Sequence, residues 1–398
     1  MPQMIRRYYG FQFFFSLLVW LPIFYEYQHR VGLSDGEIFS IQSVYYIAFA
    51  LLEIPTGLIA DRWGYLRCLR IGALVLALAN LLPIFAVGYN GFMVHFLLIA
   101  LARSLISGAS SAYLYDSLAA QGATDRYKQI EGNARAYGLI GKVVFWAIVG
   151  FLMTWHMTLP YWLTAGSALI SFGFAAALPA VEKRSQAGAE RAKAASAGFA
   201  ALVEALGSSP MLVLIMVQGI AIFVLGRIVQ VNLYQPILGA KGFDLGTYGI
   251  VMAVMTVFEA AGSARPELLK KWFSDLNAVF VVTCAMALCV AVVPFTGQVG
   301  TLVALCLFSL AAGLSFPVQR QLLNDWVPDA RYRATLLSCE SIIDRSVCAA
   351  VAAMAGGFLA RGQLDAFLQT SATVTLLGVA ALWFILRLLP LKLQKAAL

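Results

Sequence analysis

The chain has 398 residues, of which 61% are hydrophobic and 12% charged, with a formal net charge of +8 and a mean hydropathy of +0.80. Soluble globular domains carry roughly 25% charged residues, so this composition excludes one and defines a polytopic membrane protein. The positive balance requires no nucleic-acid partner, because the cations collect in particular loops.

A helix crossing the hydrocarbon core needs roughly 20 mostly apolar residues. That window finds about twelve spans. The first, near 8 to 29, follows Arg6 and Arg7. Its start has the positive charge of a signal peptide, but the run FQFFFSLLVW is long and aromatic and lacks a small-residue cleavage site, so it reads as a retained helix. Five more fall near 37 to 60, 69 to 88, 93 to 121, 129 to 154 and 160 to 180. The Ala-rich charged stretch 181 to 208 then reads as a linker, with room for a short amphipathic surface helix. The remaining spans lie near 209 to 235, 244 to 264, 276 to 295, 300 to 323, 332 to 360 and 365 to 388. The expected organisation is a six-helix bundle over 1–180, a cytoplasmic linker over 181–208, and a second bundle over 209–398.

Most Lys and Arg sit at the two ends and in alternate loops, among them Arg62, Arg67, Arg70, Arg126, Lys183, Arg265, Lys270 and Arg331. Only Arg30, Lys241 and Arg361 fall in the opposite loops. This asymmetry places both termini on the cytoplasmic side of a cytoplasmic membrane. The six cysteines, Cys68, Cys284, Cys289, Cys306, Cys339 and Cys348, lie in spans or on the cytoplasmic side, at spacings that suggest neither a disulfide framework nor a metal site.

The halves repeat weakly at an offset of 205 or 206 residues. Glu53 falls on Glu259, Gly108 on Gly313, and Arg126-Tyr127-Lys128 on Arg331-Tyr332-Arg333. A duplicated six-helix bundle with its ligand site between the halves is a transporter architecture.

Between the second and third spans lies EIPTGLIADRWGYLR, which reads as a short turn. Gly57 and Gly64 permit close backbone approach, Asp61 can accept from a neighbouring helix start, and Arg62, Arg67 and Arg70 hold the turn at the membrane surface. The run from Gly57 to Gly64, with Arg67, resembles the signature loop of the major facilitator superfamily. Arg103, Gly108 and Ala112 in RSLISGASSA resemble its fourth-helix motif. The resemblance implies an all-α fold of twelve transmembrane helices in two pseudo-symmetric six-helix bundles. It also implies a gating role for Gly57, Asp61, Arg62, Gly64 and Arg67, with Asp61 latching onto the helix that starts near Tyr332. The fifth helix departs from the glycine-proline signature of drug/proton antiporters and carries Lys142. The second-half copy of the loop, GSARPELLKKW, is degenerate, with Glu267 near the position of Asp61.

Charges within spans cost roughly 2.5–3.5 kcal/mol each when they face lipid near the bilayer centre, so they must pair, reach water or lie at helix ends. Candidate proton carriers are Glu26, Glu53, Asp116, Glu340 and Asp344. Candidate substrate ligands are Lys142, Arg345, Tyr137, Trp20, Tyr45, Arg103 and Arg227. Lys142 lies about 20 Å along the fifth helix, near the midplane, and Glu340 and Asp344, four apart, share a face. Packing as in the resembling superfamily would bring Arg135 to Glu259 as a gate pair, and Glu53 to Glu340 as two carboxylates sharing a proton. Glu26 with His29 would form an outer relay. Asp116 would work beside Tyr113 and Tyr115, and aromatics such as Tyr25, Tyr46, Trp146 and Tyr234 would line a cavity for a flat organic molecule.

No phosphate-binding GxxxxGK[ST], HExxH, GxSxG or dinucleotide motif occurs, so drive must come from a gradient and no cofactor or metal is expected. The sequence therefore reads as a secondary transporter working by alternating access, acting as a monomer and not as an enzyme. Proton-coupled efflux of a small metabolite or drug is the first expectation, and proton-coupled uptake of an organic anion the alternative. A non-transporting sensor or embedded enzyme of the same fold is the third reading.

Overall fold

The structure, a computed structural model, describes residues 1–180, 209–326 and 333–388, apart from the side chains of Asp61, Lys128, Leu268, Lys270 and 333–338. Among the described residues every regular element is helical, and twelve helices are long and apolar enough to cross a membrane. Their bounds follow the predicted ones closely: the second runs Asp35–Trp63, the third Tyr65–Phe85, the fourth Tyr89–Ala119, the fifth Tyr127–Trp155 and the sixth Leu159–Ala177. The eighth runs Leu245–Ala264, the ninth Asp275–Val292, the tenth Gln298–Trp326, the eleventh Arg333–Leu359 and the twelfth Leu364–Leu388. By packing the chain divides into two compact units, Met1–Lys193 with Asp244–Ala253, and Ala194–Phe243 with Val254–Leu398. The stretch 181–208, expected as linker and surface helix, lies outside the described residues.

The first span is not the continuous helix its hydropathy suggests. It runs Pro2–Ser16, breaks, forms a 3-10 turn at Leu21–Ile23 and resumes at Phe24–Arg30. Pro22, inside the turn, has no N–H to donate and disfavours helix in the residue before it. Within a membrane the freed backbone groups need partners, and neighbouring helices supply them. Ser167 donates to the Phe14 carbonyl at 2.7 Å, Thr164 accepts from the Val19 N–H at 3.0 Å, and the Trp146 indole donates to the Leu18 carbonyl at 2.9 Å. The seventh span is also irregular: Pro210–Arg227 passes through a π-helical stretch, Ile228–Leu233, before Tyr234–Ala240.

The turn between the second and third spans is shorter than expected. The second helix continues through Asp61 and Arg62 to Trp63, leaving Gly64 alone as the link, at φ +92°, a conformation that favours glycine. Gly57 has open space within its unit where a Cβ would stand. Arg62 and Arg67 are exposed. Arg70 instead donates to the carbonyls of Ala175 and Ala176, and Arg7 to that of Ala177 at 2.6 Å. Two guanidiniums thus satisfy the open carbonyls at the C-terminus of the sixth span, where the helix dipole also favours cations.

The start of the second span carries a reciprocal capping box between Ser34 and Glu37. A core of Tyr8, Phe11, Leu69, Ala73 and Leu114 joins the first, third and fourth spans of the first unit.

Candidate functional site

The second unit holds two buried ion pairs on one face of the eleventh span. Glu340 Oε2 accepts from Arg320 Nη1 of the tenth span at 2.6 Å, and Asp344 Oδ2 from Arg227 Nη1 of the seventh at 2.7 Å. The carboxylates are nearly sealed, at 1% and 5% side-chain exposure, whereas the arginines keep 33% and 26%. Arg320 is further held by the faces of Phe223 and Phe316, 5.0 and 5.6 Å from the ring centroids. Cys348, one turn beyond Asp344, donates to its Oδ1 at 3.7 Å. Glu340 fits against the seventh span because Gly219 stands there: a Cβ at that position would run into Gln319 Nε2 and lie 2.9 Å from Glu340 Oε1.

Both pairs contain residues singled out from sequence. Glu340, expected to share a proton with Glu53, has Arg320 as a partner within its unit. Arg227, expected to hold substrate, is paired with Asp344 and keeps 26% side-chain exposure. Arg345, adjacent to Asp344, is half-buried. Glu259 is exposed within its unit and accepts from Gln230 Nε2 at 3.2 Å.

In the first unit, the broken first span, Lys142 and Trp146 form one constellation. Lys142 Nζ lies 5.6 Å from the centroid of the Trp146 ring, and that indole caps the Leu18 carbonyl at the break. Lys142 therefore stands beside irregular backbone roughly halfway along its helix, where transporters of this architecture place ligands. Arg103 Nη1 reaches the Tyr45 hydroxyl at 3.5 Å, bringing two predicted substrate residues together.

Other predicted residues fall elsewhere. Trp20 is buried core: its indole donates to Asn80 at 2.5 Å, and its ring stacks on Tyr161 with centroids 5.6 Å apart. Tyr137 and Arg135 are exposed within their unit, with the Tyr137 ring 5.2 Å from Tyr9. Glu26 pairs with Arg30 at 2.7 Å, and His29 Nε2 lies 3.9 Å from Asp35. Asp116 is half-buried, but Tyr113 turns away from it to donate to the Pro179 carbonyl, and Tyr115 packs on Tyr127. Glu53 is half-buried in the second span. The side chain of Asp61 and the residues before Arg333 lie outside the described residues, so the latch is not visible.

Sequence reasoning passed over Glu131, in the first turns of the fifth span. Its carboxylate accepts from Tyr8 at 2.8 Å and Ser111 at 3.2 Å, and Gln12 donates to the Tyr8 hydroxyl at 2.9 Å. It lay inside the predicted span and was open to the same test of charge in a helix. Gln218, buried and donating to Thr283 at 2.7 Å, was also passed over. Being uncharged, it falls outside a search for ionisable side chains within the spans.

Twelve apolar helices in two units, with charged side chains drawn inward within a unit, define a multi-pass membrane protein built around polar chemistry. The sequence profile of the Major Facilitator Superfamily matches residues 8–338; the chain belongs to that superfamily, and is a transporter of small solutes and not an enzyme. Among solved structures, a variant of the nucleoside transporter NupG is similar at 14% identity with a TM-score of 0.81, over 96% of this chain and 100% of that one. A POT family transporter crystallised with a thioalcohol-conjugated peptide is similar at 11% identity and a TM-score of 0.73, over 96% and 94%. A D-xylose-proton symporter is similar at 14% identity and a TM-score of 0.70, over 96% of each chain. At these identities the likeness is one of fold. No curated protein matches the chain in sequence.

Proposed function

We propose that the protein carries a small organic anion across the cytoplasmic membrane together with protons, by alternating access. The observation that carries this reading is the layering of the ion pairs: the carboxylates of Glu340 and Asp344 are sealed behind arginines that remain reachable. Protonating such a carboxylate removes the guanidinium's partner, and an anionic group of the solute can take its place. Proton and anion then travel as a neutral combination, which lowers the charge carried through the membrane. Lys142 and the Arg103–Tyr45 pair supply further cationic and hydroxyl contacts in the first unit.

Export by exchange, the first expectation from sequence, calls for an acid free to bind solute and proton in turn. Two acids already committed to arginine favour co-transport instead, and the D-xylose-proton symporter is a fold relative that couples to protons in that sense. We further propose that Asp61 latches the cytoplasmic side, that Arg135 and Glu259 gate the path, that Glu53 and Asp116 tune proton access, and that the protein works as a monomer with both termini in the cytoplasm.

The test is proton flux in proteoliposomes loaded with a pH-sensitive dye and given monocarboxylates, dicarboxylates, nucleosides, pentoses and dipeptides in turn. Entry of protons with an anionic solute is the expected result. Proton exit on solute entry, or response to neutral solutes alone, would overturn the assignment.

A further inference from the structure

The second unit contains a cavity of about 440 Å³ whose lining includes none of the four ion-pair residues. Ile228 of the seventh span, Val351 and Met354 of the eleventh, and Val374 and Gly378 of the twelfth line it. Its polar side chains are Thr370, Ser371 and Thr375, of which Thr370 and Thr375 are turned back onto the carbonyls of Ala366 and Ser371. A solute site needs convergent polar groups, and this cavity offers almost none. Its walls are membrane-spanning helices and almost wholly apolar, the chemistry that suits the chains of bilayer molecules.

Charge fixes which of them. At one end the walls are Phe358 and Phe367, with ring centroids 5.6 Å apart, and the Arg361 guanidinium lies 5.4 Å over Phe358. A long apolar slot thus ends under a cation at the junction of the eleventh and twelfth spans, where a bilayer gives way to its headgroups. From Phe367 to Leu382 the slot follows the twelfth helix for about 22 Å, longer than one leaflet of roughly 15 Å.

We propose that this slot holds an acyl chain of an anionic phospholipid whose phosphate sits at Arg361. The site touches the transport machinery through sequence neighbours. Ile228 follows Arg227 directly, and Val347, also in the wall, lies one turn from Asp344. The lipid therefore packs behind the Arg227–Asp344 pair and steadies it.

Native mass spectrometry of the detergent-purified full chain, titrated with palmitoyl-oleoyl phosphatidylglycerol or phosphatidylethanolamine, tests this. Wild type should bind the phosphatidylglycerol preferentially. Arg361→Gln should lower that preference about fivefold, the effect of one interfacial cation. Gly378 has open space around a built Cβ, so Gly378→Phe should fill the slot and abolish retention of both lipids. Full preference in Arg361→Gln, or wild-type retention in Gly378→Phe, would overturn the proposal. So would a lipid-independent dimer that Gly378→Phe converts to monomer, which would assign the slot to a second copy.

Discussion

Asp344 Oδ2 accepts a hydrogen bond from Arg227 Nη1 at 2.7 Å, joining the eleventh span to the seventh across the interior of the second unit. Removing one partner of a buried pair costs about 3–5 kcal/mol, whereas replacing both with apolar groups is often neutral. Arg227 is about a quarter exposed, which shifts the expectation to the lower end. Asp344→Ala or Arg227→Ala alone should therefore lower the melting midpoint of detergent-solubilised protein clearly, with a loss of about 2–3 kcal/mol. The double variant Arg227→Leu with Asp344→Leu should recover most of that loss. A double variant as unstable as the sum of the singles would show that the two do not act as a pair.

Gly219 leaves room for Gln319 Nε2 and Glu340 Oε1, the first of which a Cβ there would run into and the second of which it would approach to 2.9 Å. Gly219→Val must push the amide, the carboxylate or the helix aside, an overpacking cost of about 1–3 kcal/mol. The expected result is a lower melting midpoint, with a smaller penalty when Gln319→Ala and Glu340→Ala together vacate the space. An equal penalty in both backgrounds would place the strain elsewhere.

Ser167 and Thr164 satisfy the backbone on either side of the break in the first span. Thr164→Val should destabilise by about 1–3 kcal/mol, since it leaves the Val19 N–H without this partner in apolar surroundings, and Ser167→Ala by less, since the Phe14 carbonyl still accepts from the Leu17 N–H at 3.4 Å. In Thr164→Val the Val19 amide should also exchange hydrogen faster, which hydrogen-exchange mass spectrometry of the first span reads directly. Unchanged exchange would mean that the break is held by other contacts.

Lys142 stands beside that break with its ammonium near the face of Trp146. Lys142→Met should weaken binding of an anionic ligand by about tenfold, or 1.4 kcal/mol, while leaving neutral ligands unaffected. Isothermal titration with the anion identified by the flux screen checks this, and equal affinity would assign Lys142 to packing.

The twelve spans were legible because a membrane helix is written as a run of apolar residues that needs no knowledge of its neighbours. The breaks were not. The interruption at Leu17–Trp20 depends on Ser167, Thr164 and Trp146, all more than a hundred positions away, and local hydropathy carries no trace of such partners. Charge inside the spans announced Glu340, Asp344, Arg227 and Arg320 as residues needing an explanation. Which cation meets which acid is a matter of helix rotation and register, so the pairing of Glu340 with Arg320 and of Asp344 with Arg227 is not legible in the sequence. Aromatics misled for a related reason. Trp20 has the same letter whether it faces a ligand or, as here, donates to Asn80 within a stack of rings. Gly64 was legible as a turn residue, but the extent of the second helix was not, because Asp61 and Arg62 read as polar loop although their backbone continues the helix.

The central claim is that the sealed carboxylate of Glu340, in the eleventh span, carries the proton that accompanies the solute. The most direct measurement compares wild type with Glu340→Gln in dye-loaded proteoliposomes, recording solute-driven proton entry beside solute exchange at equal pH. The account predicts that Glu340→Gln still exchanges solute but no longer moves protons with it. Proton entry at the wild-type rate in Glu340→Gln, with the solute still transported, would contradict it.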